Sequence, residues 1–326
     1  MRKSDVFLTK HMEVYRMYFP YLRGRQFELI ALRELLESER IGQEIIPIIE
    51  PVKPSATLLK TLECFVNHDR EIAVVFNPAV GDFPKKINEM RRENSKIANE
   101  LYELLTNHNK IIKSYIMSAK SAVKLKTDEL KTERLIINPD RDCLDDFLEV
   151  YDKSLPRYTL IPDDRAFRRV ISESKVLFED NFNKRSRNID YIEHEDEFFS
   201  DSHLYFQNEN YVGFADYSVV GEEFNESGFA PVAVAIHIVY FNEKKELRIH
   251  HFVSDSNDGI EDPGGKFGEA LEKLVYWCEE NNVQNTLGLQ GFYDCYNSGK
   301  YPGLGTVKKY SIMHHLELVS NFLGGK

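Results

Sequence analysis

Short apolar runs recur along the chain, and most of them end in a polar or charged residue. Runs that are apolar without alternation are typical of strands buried on both faces, as in a parallel sheet. Stretches with apolar residues three and four apart, such as residues 27–40, separate these runs and indicate amphipathic helices. The pattern predicts eight parallel strands, at residues 18–22, 45–49, 72–76, 111–117, 134–137, 158–161, 175–178 and 211–217.

This alternation predicts an α/β fold, a (β/α)8 TIM-like barrel with a C-terminal antiparallel hairpin and a helical extension. We expect a polar leader over residues 1–17, the βα barrel core over 18–220, and an α+β extension packed on the barrel over 221–326. The hairpin is expected where two apolar stretches flank the polar residues 242–245. A polar and aromatic insertion, residues 181–210, precedes the eighth strand.

The composition narrows the classes of function. Of the 326 residues, 42% are hydrophobic, yet no apolar run approaches the ~20 residues of a membrane-spanning helix. The first residues lack the apolar segment of a signal peptide, so we expect a cytoplasmic protein with no membrane partner. The net charge of −11 disfavours non-specific binding to nucleic acid, which depends on neutralising phosphates.

Two N-terminal segments, residues 18–29 and 47–53, resemble the phage beta protein family and its bacterial relatives. The resemblance covers most of the chain from residue 17 onward. No catalytic activity is assigned to that family, but the resemblance implies a role in phage conflict, in defence-associated gene neighbourhoods, and a protein partner encoded by an adjacent gene. Further similar segments lie at residues 187–191, 213–218, 233–240 and 249–255.

Carboxylates stand at or just past several predicted strand ends. A closed barrel gathers these ends on one rim, where barrel enzymes carry out their chemistry. Carboxylates there can act as general acid and base, or hold a hard cation such as Mg²⁺ or Mn²⁺ through their oxygens. The predicted catalytic residues are Glu50, Asp163, Glu179 and Asp216.

Cationic and other polar side chains share the same predicted rim. Arginine suits phosphate because it forms paired hydrogen bonds with it. The predicted ligand-binding residues are Arg23, Arg25, Lys53, Asn77 and Asp140.

These residues lead to one main functional expectation and two alternatives. The main one is a rim that binds a phosphate-bearing ligand, such as a nucleotide, and hydrolyses it with a divalent metal. In the first alternative, Arg23 and Glu50 form a structural salt bridge, and the protein is a non-catalytic binding or scaffold component of a two-protein system. A nucleic-acid binder is the second alternative, which the net charge does not favour.

Two histidines of the predicted hairpin give a separate metal hypothesis. With a four-residue loop at 242–245, His237 lies directly opposite His250, and His251 points to the other face. Directly paired side chains lie ~5 Å apart at Cβ, so two imidazoles there could share a transition metal. The alternative is a cross-strand pair with no ligand.

Overall fold

The computed structural model describes residues 16–225 and 231–325, so the predicted leader lies almost entirely outside the described residues. Strands β1–β7 and β9 are parallel and close into a barrel, which confirms the predicted (β/α)8 fold. The strands are β1 Met17–Leu22, β2 Ile48–Ile49, β3 Ile72–Val75, β4 Ile111–Ile116, β5 Leu135–Ile137, β6 Tyr158–Ile161, β7 Lys175–Glu179, β8 Asp196–Ser200, β9 Gly213–Asp216, β10 Ala235–Phe241 and β11 Leu247–Val253.

Helices follow the barrel strands and cover the outside of the sheet. Their starts carry local signals: the Ser55 hydroxyl accepts a hydrogen bond from the Leu58 amide, 3.1 Å away, and so caps the second helix. Within residues 16–225 and 231–325, every helix is too short or too polar to cross a bilayer. The helices are α1 Gln26–Glu37, α2 Ala56–Asn67, α3 Phe83–Arg92, α4 Lys96–Asn107, α5 Ala119–Lys126, α6 Leu144–Val150, α7 Arg165–Val170, α8 Ser202–Tyr205, α9 Pro263–Glu280, α10 Leu287–Ser298 and α11 Leu304–Leu323.

Successive side chains of each barrel strand alternate between the barrel interior and the layer under the helices. The interior cluster includes Phe19, Tyr21, Ile48, Phe178 and Tyr217. The outer cluster includes Tyr18, Leu22, Ile49, Leu177 and Phe214. This alternation decides whether a polar residue at a strand end faces the mouth of the barrel or the outer layer.

A second sheet of three antiparallel strands, in the order β10-β11-β8, lies beside the barrel. The hairpin β10–β11 is confirmed, whereas β8 comes from the insertion at 181–210 and was not predicted. Helix α9 packs on the hairpin through an apolar cluster that includes Ile236, Phe252 and Leu274. The added sheet therefore combines strands from both sides of the last barrel strand.

The hairpin register differs by one residue from the prediction. His237 pairs with His251, and His250 lies opposite Ile238. The connecting loop has three residues rather than four, because the Asn242 amide bonds the Glu246 carbonyl and continues the ladder. Lys245 closes the loop in the left-handed region, with φ +64°, as three-residue hairpin loops require. The predicted pairing of His237 with His250 is therefore wrong.

Helix α11 occupies the place of the eighth barrel helix. The hairpin, α9 and α10 are inserted between it and β9. It packs against α1 and β1 on the barrel side and against α10 and β10 on the other side. Its residues from Ser311 to Ser320 are all buried, so this helix is the contact between the barrel and the added elements.

Buried polar side chains of α11 bond to both sides. His315 Nδ1 lies 2.9 Å from the Ser218 hydroxyl, just past β9. His314 donates from Nε2 to the Val239 carbonyl at 2.6 Å and accepts at Nδ1 from the Thr286 hydroxyl at 2.8 Å. Burial lowers the pKa of His314 to about 4 and that of His315 to about 3. Both imidazoles are thus neutral in the folded protein at neutral pH.

This burial makes stability depend on pH. Between the ordinary histidine pKa of about 6.5 and about pH 4, the unfolded chain holds more protons than the folded one, so stability falls as pH falls. Asp216 acts in the opposite direction, because its pKa in the folded protein is raised to about 6.

The variant His315→Asn isolates the contribution of one histidine, because the asparagine side chain can still bond Ser218. We expect wild type to lose about 2 kcal/mol more than this variant between about pH 7 and pH 5 in urea unfolding. Parallel losses in the two proteins would contradict a neutral buried His315.

Candidate functional site

The barrel mouth holds a buried ion pair. Glu50 is fully buried, and its Oε2 accepts hydrogen bonds from the Tyr21 hydroxyl, at 2.8 Å, and from Arg23. Its Oε1 accepts from the backbone amides of Ala79, at 2.6 Å, and Val80, at 3.2 Å. Both oxygens therefore have two donors each. The geometry corresponds to the structural salt bridge that the sequence left as an alternative.

Arg23 and Arg25 both donate hydrogen bonds to backbone carbonyls of one segment, residues 222–225. Arg23 lies over the rings of Tyr21 and Tyr217, 5.3 and 5.1 Å from their centroids, and donates to the Glu222 carbonyl. Arg25 donates to the Asn225 carbonyl. Backbone carbonyls of Glu222 and Asn225 thus occupy donors of the two arginines that were predicted to bind phosphate.

The other predicted ligand-binding residues lie apart from this pair. Asn77 bonds the backbone amide and carbonyl of Ile116, at 2.9 and 2.8 Å, and so joins the ends of β3 and β4. Asp140 is exposed and accepts from the Asp142 amide at 2.9 Å, as a turn residue does. Lys53 is exposed. The structure does not bring these three side chains together.

Two predicted catalytic carboxylates face the outer layer instead of the mouth. Asp216 accepts from the Tyr18 hydroxyl, at 2.6 Å, and from the Ser218 amide, at 2.7 Å, and burial raises its pKa to about 6. Glu179 accepts from the Ser202 hydroxyl at 2.9 Å, and burial raises its pKa as well. Both residues occupy the outward-facing parity of their strands, next to inward-facing Phe178 and Tyr217.

The four predicted catalytic residues therefore do not form one site. Glu50 is inside the barrel, Glu179 and Asp216 are outside it, and Asp163 is exposed in an ion pair with Arg168. The charges of Asp163 and Asp216 add to burial in raising the pKa of Glu179. Even so, no three His, Cys, Asp or Glu side chains in the described part of the chain converge to hold a metal ion.

The histidines of the hairpin face two different surroundings. His250 stacks on Trp277, with ring centroids 4.4 Å apart, and its Nδ1 lies 3.3 Å from an Asp196 oxygen. His237 and His251 face the opposite side, with their Nδ1 atoms 2.7 Å apart. The hypothesis of a metal shared by His237 and His250 depends on a pairing that the register excludes.

A pocket of about 240 Å³ lies beside the C-terminal ends of β7 and β9, and we call it the cationic pocket. Three of its lining residues carry positive charge, and none of those described carries negative charge. Its lining consists of Phe182, Lys184, Arg185, Asn188, Tyr191, Val219, Val220, Pro231, Ala235, His237, Leu304, Val307, Lys308 and Ser311.

Lys308 is the least compensated of these cations. Lys184 forms an ion pair with Glu223, and Arg185 forms one with Glu197. Lys308 has no hydrogen bond or ion pair to any residue in 16–225 or 231–325. Burial lowers its pKa; nearby Glu28 opposes this effect, and the charges of Arg25 and Lys184 add to it.

Sequence reasoning missed this pocket. The basic run at 184–187 was visible, but its partner Lys308 lies more than a hundred residues later in a helix. The available signal was a lysine pair, at 308–309, at the start of a long buried helical pattern.

No family model, curated protein or solved structure matches this chain. The resemblance to the phage beta protein family therefore stays an expectation from the sequence, and functional argument depends on the geometry.

Replacing Glu50 with Gln removes the charge that compensates buried Arg23. We expect Glu50→Gln to lower the free energy of unfolding by about 3 kcal/mol or more, the usual cost of leaving a buried charge unpaired. Urea unfolding measures this loss. The double variant Arg23→Met with Glu50→Gln should recover part of it, because neither charge then remains.

The matched control is Asp163→Asn, which breaks the exposed pair with Arg168. It should change stability by less than about 1 kcal/mol. A Glu50→Gln protein as stable as wild type would contradict the structural role of the pair.

Proposed function

We propose that this protein binds a small phosphate-bearing ligand, such as a nucleotide, in the cationic pocket. One observation carries the proposal: in a chain with 53 acidic and 42 basic residues, this pocket is lined by three cations and no described carboxylate. A concave surface lined by one sign of charge concentrates ions of the opposite sign. An anion in the pocket would also supply the partner that Lys308 does not have among residues 16–225 and 231–325.

The size of the pocket narrows the ligand. Its volume, about 240 Å³, is below the range of about 300–1,000 Å³ that is usual for whole drug-sized ligands. It suits a phosphate with its attached sugar, while a base would extend outside. The rings of Phe182 and Tyr191 offer apolar walls for the uncharged part of such a ligand.

The arrangement of the rim favours binding over metal-dependent hydrolysis. Arg23 and Glu50 compensate each other, and the Glu222 and Asn225 carbonyls accept hydrogen bonds from Arg23 and Arg25. The remaining predicted carboxylates lie in other places. We therefore propose a binding protein, as in the first alternative, that takes the phosphate-bearing ligand of the main expectation in the pocket beside the barrel mouth.

From the resemblance alone, we also propose a part in phage conflict together with a partner protein. Ligand binding would then be the signal that this protein passes to its partner.

The test of the pocket is Lys308→Met, which keeps the length of the side chain and removes its charge. We expect the affinity for AMP and for inorganic phosphate to fall roughly ten-fold or more, because a charge-assisted hydrogen bond is lost. Isothermal titration calorimetry measures the dissociation constants of both probes for wild type and variant. Binding should also weaken as salt is raised.

The matched control is Lys53→Met at the exposed position on the rim, which should bind like wild type. If Lys53→Met loses affinity and Lys308→Met does not, the ligand lies on the rim and the pocket is the wrong site. If wild type binds neither probe, the proposal of phosphate binding fails.

The phage-conflict proposal has its own measurement. In bacteria that express this protein with the product of the adjacent gene, we expect fewer phage plaques than without them. The Lys308→Met variant should lose this protection if the pocket carries the signal. Equal plaque counts with and without the wild-type pair would contradict the role in phage conflict.

A further inference from the structure

Three polar side chains form a line that ends at the cationic pocket. Glu197 Oε2 lies 3.3 Å from His251 Nε2, and His251 Nδ1 lies 2.7 Å from His237 Nδ1. His251 is buried, whereas His237 lines the pocket. The line therefore connects a carboxylate behind the pocket with an imidazole at its wall.

Hydrogen-bond complementarity assigns the protons along this line. A carboxylate only accepts, so His251 Nε2 carries the proton that Glu197 accepts. A neutral imidazole has one N–H, so His251 Nδ1 is an acceptor. The short contact between the two Nδ1 atoms then requires the proton on His237 Nδ1. This leaves His237 Nε2 with a free lone pair.

The surroundings keep both rings neutral and in place. Burial lowers the pKa of His237 far below its usual value, and the charge of Lys308 adds to the effect. Burial also lowers the pKa of His251 to about 3, with Arg185 among the further causes. The ring of Tyr191 packs against both imidazoles, with centroids 4.7 and 4.5 Å away.

We propose that His237 Nε2 is a hydrogen-bond acceptor that recognises a hydroxyl group on the ligand. No described residue bonds this nitrogen, and it is the free polar atom of a side chain that lines the pocket. The ligand class is therefore a phosphate ester that carries a free hydroxyl, such as a sugar phosphate or a ribonucleotide. This inference rests on the proposed phosphate binding. The cations would hold the phosphate, and His237 would select the hydroxyl.

The first experiment tests the proton assignment without any ligand. Two-bond ¹⁵N–¹H NMR spectra of the full chain distinguish protonated from bare ring nitrogens. We expect a bare Nε2 and a protonated Nδ1 at His237, with the reverse at His251. A proton on His237 Nε2 would overturn the inference, whatever the protein binds.

The second experiment uses matched probes. AMP is compared with dideoxy-AMP, and glycerol phosphate with propyl phosphate, so that charge is constant and the hydroxyl groups differ. We expect wild type to prefer the hydroxyl-bearing member of at least one pair roughly ten-fold, because an unpaired buried acceptor penalises the other member. His237→Phe should remove this preference while it still binds propyl phosphate.

The control variant is His250→Phe, on the next strand and facing Trp277 instead of the pocket, which should keep the preference. If wild type binds both members of each pair equally, the role of His237 is wrong and phosphate binding stands. If wild type binds no probe, inorganic phosphate included, the proposed function fails and this inference with it.

Discussion

The structure depends on the burial of one helix with several polar side chains, α11, between the barrel and the added sheet. A buried polar group costs free energy unless it is hydrogen-bonded, so each such side chain must find a partner on the element it faces. His315 finds Ser218 on the barrel side, and His314 finds Val239 and Thr286 on the other side. Apolar packing alone would tolerate some rotation of the helix about its axis. These directional bonds fix that rotation, and with it the relative position of the surfaces that line the cationic pocket.

The barrel could be predicted because its strands are continuous apolar runs separated by helical patterns. Because the runs are continuously apolar, the direction of the side chains at the strand ends could not be predicted. A strand that is apolar on both faces shows no alternation, so the sequence does not indicate which parity faces the barrel interior. Phe178 and Tyr217 face the barrel interior. Because neighbouring side chains of a strand point to opposite faces, Glu179 and Asp216 face outward, away from Glu50. Four carboxylates that looked equivalent in the sequence therefore lie in three different surroundings.

The second sheet was harder to predict for reasons of length and turn chemistry. Strand β8 has five residues, and two of the first three are acidic, which gives no strand signal outside its sheet. The hairpin loop depends on Lys245 in the left-handed region, a position for which glycine or asparagine is the usual signal. A lysine there leaves loops of three and four residues equally acceptable from sequence. The difference of one residue in loop length changes the partner of His237 from the predicted His250 to His251.

This register also explains why cations and a neutral imidazole occur together in one pocket. Facing His251, His237 gains a proton acceptor that is itself oriented by Glu197. A protonated His237 would place a further positive charge beside Lys308. Burial and the neighbouring charge therefore act in the same direction on the pKa of His237. Lys308, which would attract a phosphate in the proposed function, thus acts in the same direction as burial, the larger cause, and opposes protonation of this imidazole.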